Sequence, residues 1–115
     1  MLNINMEFRK GILFVRLEGE LTKKTYEKLN EEITMLIKEN GIRNVVFNVE
    51  NLYKIDMKGI SFLYYNYELC NYNNGKMLVC GLKNDNVKIK LKKSRLLNYM
   101  FEVSDELSAI KTINI

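Results

Sequence analysis

The chain contains no histidine, no tryptophan and no proline. Without histidine there is no Ser-His-Asp or Cys-His nucleophilic system. The zinc ligand sets that need imidazole are excluded as well. Cysteine occurs only as Cys70 and Cys80, at neither a metal nor a redox spacing. Two reduced, mostly buried thiols are therefore expected. No apolar run approaches the roughly 20 residues that span a bilayer, so no membrane insertion is expected. Met1 to Glu7 has neither a basic n-region nor a continuous apolar h-region, which predicts no signal peptide and a cytoplasmic location. There is no P-loop and no dinucleotide fingerprint. The acid pairs Glu18/Glu20 and Glu31/Glu32 carry no pocket signature. These absences argue against an enzyme and imply neither cofactor nor metal.

What is present fits a packed α/β chain. At 115 residues and 47% hydrophobic composition, positions 1–115 are expected to form one domain with its own core. The net charge of +4 does not by itself imply a nucleic acid partner. It predicts a solvated basic surface with some preference for an acidic partner.

Two strands open the chain. Ile4, Met6 and Phe8 alternate with Asn5 and Glu7, and Arg9-Lys10-Gly11 is a turn candidate. Leu13, Val15 and Leu17 then alternate with Phe14, Arg16 and Glu18, a half-buried pattern that Gly19 is expected to end. Thr22 is a candidate N-cap for an amphipathic helix carrying Tyr26, Leu29, Ile33, Leu36 and Ile37 on one face, with Gly41 just past its end. Val45 to Val49 reads as a central strand covered on both faces. From Lys58 a second helix places Ile60, Leu63, Tyr64, Tyr67 and Cys70 on one stripe. The tyrosines there are a stacking platform or, more simply, core-edge packing. Asn73-Asn74-Gly75 stops this helix, and Met77 to Cys80 is a further buried strand. Val87, Ile89 and Leu91 alternate with lysines, which by pattern alone is a strand, although Asn84 or Asp85 could cap a helix. Met100 to Val103 is a short last strand. Ser104-Asp105-Glu106-Leu107 opens a last helix whose apolar face is Leu107, Ile110 and Ile113.

The stretch that bears on function is Ile55-Asp56-Met57-Lys58-Gly59-Ile60. A strand that ends on a helix start exposes backbone N–H groups and the positive end of the helix dipole. That spot suits a phosphate, a carboxylate or a docking partner. Asp56 is a good N-cap, with or without a share in docking. Met57 is an adaptable apolar contact, and Gly59 permits close backbone approach. Lys58 is the odd residue, a cation where the dipole disfavours one. It either pairs with an acidic group of a partner or turns away from the dipole.

The order of elements, with Glu18-Gly19-Glu20-Leu21-Thr22 before the first helix and Asp56-Met57-Lys58-Gly59 before the second, resembles the STAS domain. More narrowly it resembles the stand-alone bacterial anti-sigma factor antagonists. Val45-Val46-Phe47-Asn48-Val49, Gly75-Lys76-Met77-Leu78-Val79 and Phe101-Glu102-Val103-Ser104 carry the likeness along the rest of the chain. The resemblance implies a mixed central sheet, with an antiparallel N-terminal hairpin and the remaining strands largely parallel, and helices mainly on one face. It also implies that Asp85 to about Arg95 is helical despite its alternation.

For function, the resemblance implies a non-enzymatic protein that docks on an anti-sigma factor, itself a serine kinase, and so frees a sigma factor. Thr22, Asp56, Met57, Lys58, Gly59 and Ser61 are the implied partner-binding residues. In the family the kinase phosphorylates a Ser or Thr at the helix start, adding about −1.5 to −2 charge within the docking surface. Here Lys58 occupies that position and cannot accept a phosphoryl group, and Ser61 is a weak alternative. The second function class is a scaffold or accessory subunit of a signalling or lipid-transport complex with no phosphorylation cycle. A weak homodimer is a further candidate partner state, and the sequence leaves the oligomeric state open.

Overall fold

A computed structural model describes residues 1–114. Strands β1 (Leu2–Arg9) and β2 (Ile12–Leu21) form the opening hairpin. Helix α1 (Tyr26–Glu39), strand β3 (Val45–Ile55), helix α2 (Met57–Tyr72) and strand β4 (Met77–Cys80) follow. Helix α3 (Asp85–Lys93), a 3-10 turn (Leu96–Asn98), strand β5 (Phe101–Val103) and helix α4 (Glu106–Ile113) complete the order. The five strands lie side by side in sequence order. The first pair is antiparallel, from Leu2 opposite Gly19 to Arg9 opposite Ile12, and the other three pairs are parallel.

Helices α1, α2 and α3 cover one face of the sheet. Leu29, Ile33 and Ile37 of α1, Leu63 and Cys70 of α2, and Val87 and Leu91 of α3 meet Val15, Leu17, Phe47 and Val79 there. Helix α4 alone covers the other face, where Ala109 and Ile110 pack on Ile12, Phe14, Val46, Leu78 and Cys80. The mixed sheet with helices mainly on one side is the architecture expected. So is the helix over Asp85–Lys93: the Asn84 side chain accepts from the Val87 amide at 3.1 Å, and Val87 and Leu91 are one helical turn apart. Ile89, the middle apolar residue of the alternation, is exposed. Tertiary context overrides the period-two pattern.

Several local expectations are corrected. Strand β2 is not half-buried, because Ile12 and Phe14 are as deeply buried under α4 as Leu13 and Val15 are under the other helices. Gly19 does not end β2. It sits at a register shift in the pairing with β3, at φ +110°, and the strand runs on to Leu21. Glycine here makes a bulge instead of a stop, since a side chain would strike the Met1 carbonyl. Strand β3 likewise continues six residues beyond Val49, alongside the end of β2. Helix α1 starts at Tyr26, with Thr25 at its cap position and without a side-chain cap. Helix α2 starts at Met57, and its buried line is Gly59, Ile60, Phe62, Leu63, Asn66 and Cys70, with Tyr64 exposed. Met100 is buried just before β5 and outside it. Leu107 is 60% exposed, and Ala109 takes its expected place in the core.

Helix α4 is held by charge as well as by apolar packing. Arg16 donates from Nε and Nη2 to the two Glu106 carboxylate oxygens, each at 2.8 Å. Asn48 Nδ2 donates to Glu106 at 2.8 Å, and Arg16 also reaches Asn5 and Glu7. The Arg16 bonds hold the Glu106 carboxyl below its ordinary pKa, against the cost of burial. Bidentate pairing of this kind is stronger than a single surface contact. Glu106→Gln is expected to cost about 1 kcal/mol, and to speed amide hydrogen exchange in α4 before the rest of the chain. Uniform exchange across α4 and the sheet would contradict a separately held helix.

Both cysteines are free and buried. Burial pushes both thiols up to about 12; for Cys80 the nearby Glu106 and Asp105 carboxylates add to it. At pH 8 neither is expected to react with a thiol reagent in the folded protein, and both should react in denaturant. A rapidly labelled native thiol would contradict this packing.

Candidate functional site: the start of helix α2

Strand β3 and strand β2 end side by side, Leu21 opposite Ile55. The chain therefore leaves the sheet twice at the same end of two inner strands, once into the turn before α1 and once into α2. Asp56 joins the two exits. Its Oδ1 accepts from the Gly59 amide at 2.9 Å, capping α2, and its Oδ2 accepts from the Lys23 amide at 3.0 Å. Partial burial works against the charged carboxylate. The amides of Gly59, Lys23 and Lys58, with the Lys23 charge, outweigh it and hold the pKa below the ordinary value. Capping is one of the two roles set out for Asp56, and its second bond, to a loop 33 positions away, was not legible in the sequence.

Thr22 does not cap α1 through its side chain. It is 8% exposed, and its hydroxyl accepts from the Lys24 amide at 3.3 Å. Its carbonyl accepts from Thr25 and Tyr26 at 3.0 and 2.8 Å, and its amide donates to Thr25 Oγ1 at 2.9 Å. Thr22 thus shapes the turn from beneath, and Lys23 and Lys24 are the exposed residues of that turn.

Gly59 is buried against the end of β2. A Cβ at this position would run into the Leu21 carbonyl, with Ile55 Cγ1 at 3.0 Å. Only glycine lets the first turn of α2 lie this close to the strand. Met57 and Lys58 are thereby left on the outside. Met57 is 73% exposed. Lys58 extends toward α1 and places its Nζ 5.3 Å from the centroid of the Tyr26 ring. An exposed lysine over this half-buried ring gains about 0.5–1 kcal/mol, which offsets the roughly 0.3–1 kcal/mol that the helix dipole costs it. The Tyr26 contact is a third option beyond the two set out from sequence. Ser61, one turn after Met57, is exposed and lines the same cavity as Met57. The structure brings Asp56, Met57, Lys58, Gly59 and Ser61 together at one helix start, with Thr22 below them. Sequence reasoning missed Lys23 and Tyr26, for which the sequence carries no local signal.

The fold and this site define a small α/β domain that presents a capped helix start, flanked by lysines, at the carboxyl ends of two inner strands of a mixed sheet. A family model for the STAS domain matches residues 3–110. The chain belongs to the STAS domain family. It is 30% identical over 114 residues to an anti-sigma F factor antagonist of Paenibacillus polymyxa, covering 99% of this chain and 97% of the relative. Its fold is shared with the unphosphorylated form of the anti-sigma factor antagonist SpoIIAA, at a TM-score of 0.79 and 17% identity over 97% of this chain and 98% of that one. It is also shared with an anti-sigma factor antagonist of Mycobacterium paratuberculosis, at a TM-score of 0.89 and 15% identity over 100% and 96% of the two chains. Among the described residues, no helix is long and apolar enough to cross a membrane.

Proposed function

We propose that this chain is a non-enzymatic regulatory protein that docks on an anti-sigma factor, a serine kinase in this family, and so frees a sigma factor. Asp56, Met57, Lys58, Gly59 and Ser61 form the contact, with Thr22 shaping its floor. The observation that carries the reading is the exposed Met57–Lys58 pair on a helix start whose backbone Asp56 has already capped. With that cap in place, the outward side chains carry the recognition. The thioether of Met57 adapts to an apolar surface, and Lys58 offers a cation already oriented by Tyr26.

Lys58 stands where the phosphorylated hydroxyl stands in the family, so docking here is not switched off at that position. Neither a cofactor, a nucleic acid nor insertion into a membrane enters this function, and the cytoplasm is its place. Replacement by serine tests the reading. Incubated with ATP and each anti-sigma kinase of the same genome, the Lys58→Ser protein is expected to gain the mass of one phosphoryl group, and the natural chain none. Phosphorylation of the natural chain at Ser61 would overturn the unswitched reading. The same lysine favours a second reading, a scaffold or accessory subunit, because such a role needs no acceptor hydroxyl. A stable oligomer that binds none of those kinases would select it.

A further inference from the structure

Beside the helix start lies a groove between α2 and the α3–turn segment. It consists of two cavities of about 430 and 400 Å³ that share Met57, Ile60 and Ser94. The wall formed by α2 is a ridge at helical spacing, Met57, Ile60, Ser61, Tyr64, Tyr65 and Glu68. Across it stand Leu96 and Tyr99, and Tyr99 is 52% exposed although its ring packs edge-on against Tyr64 at 5.9 Å. The rim is basic. Lys90, Lys93 and Arg95 line it, and none of them makes a salt bridge among the described residues. Two acids line the cavities, Glu68 and Asp56, and the Asp56 carboxylate is already taken up by the Gly59 and Lys23 amides. Arg95 holds left-handed backbone at φ 65°, where a residue with a Cβ is strained by about 1–2 kcal/mol. The fold thus keeps a cation at a position that glycine or asparagine would fill more easily.

An apolar floor of helical pitch with unpaired cations along one rim is complementary to one kind of occupant. We infer that this groove receives an acidic amphipathic helix of a protein partner. The helix would lay its apolar side against Met57, Ile60, Tyr64 and Tyr99 and its carboxylates toward Lys90, Lys93 and Arg95. The inference rests on the docking reading above, because the groove begins at Met57, and it adds the chemistry of what docks. Rim charges of this kind select the partner and steer its approach more than they add affinity.

Two synthetic helical peptides test it. Both carry the same leucine face, one with glutamate and the other with lysine on the polar face, and each is titrated into ¹⁵N-labelled protein. The glutamate peptide is expected to shift the amides of Met57 to Glu68 and of Leu96 to Tyr99, and to bind about tenfold more tightly than the lysine peptide. The triple variant Lys90→Glu, Lys93→Glu, Arg95→Glu, with unchanged thermal unfolding, is expected to reverse that preference. Equal binding of the two peptides, shifts elsewhere on the surface, or no shift at millimolar peptide would overturn the inference. So would binding of phosphatidylglycerol vesicles without binding of the glutamate peptide, which would make the basic rim a membrane contact. An anti-sigma kinase that binds the triple variant as tightly as the natural chain would refute the groove and leave the antagonist reading standing. Glutamate-peptide binding without any kinase binding would do the reverse.

Discussion

Gly59→Ala is expected to destabilise the protein by about 2 kcal/mol, although alanine normally gains about 0.8–1 kcal/mol over glycine inside a helix. The reversal comes from one contact. The added methyl group would meet the Leu21 carbonyl, which belongs to the end of β2 and cannot rotate away as a side chain could. Overpacking against fixed atoms costs typically 1–3 kcal/mol, and the first turn of α2 must lift to relieve it. Lifting that turn strains the Asp56 bond to Lys23 and displaces Met57 and Lys58, so partner binding should fall with stability. Urea unfolding is the check. A lower midpoint with an unchanged slope is expected, whereas an unchanged or raised midpoint would show that α2 does not pack on the strand end as described.

Asp56→Ala is expected to cost about 1.5–2 kcal/mol, the upper range for loss of a cap, because the carboxylate serves amides in two elements instead of one. The pH dependence identifies the charge as the agent. The folded-state pKa of Asp56 lies below its ordinary value of 3.8. Its contribution is therefore fully present above the unfolded-state pKa, near 4, and is lost as the pH falls through the folded-state value. The stability gap between the natural chain and Asp56→Asn should accordingly be constant from pH 7 to about 5 and shrink below about 4. A gap that persists unchanged into acid would mean that shape, and not charge, fixes the two loops together.

The architecture was legible where period and composition agree. The α1 stripe of Leu29, Ile33 and Ile37 and the apolar run into β4 read correctly, because each buries what its own pattern offers; the acidic residues mark the start of α4, although Leu107 of its expected apolar face is exposed. The errors fall where a neighbour decides. Gly19 reads as a stop, yet pairing with β3 carries the strand through it as a bulge. The lysine alternation of residues 87–91 reads as a strand by pattern alone, and the helix implied by the resemblance is the one found, because only Val87 and Leu91 find a core. Residues Asp56 to Gly59 announced a helix start by themselves. That Asp56 also holds Lys23, and that Tyr26 lies under Lys58, depends on β2 and β3 ending side by side, which no local pattern encodes.

Calorimetric titration with each anti-sigma kinase of the same genome, in ADP and in ATP, tests the proposed function most directly. Tight binding to one of them that survives long incubation with ATP, with no phosphoryl mass on the chain, is the expected result. Absence of binding to every one of them would contradict the antagonist function and leave a STAS protein whose partner is of another kind.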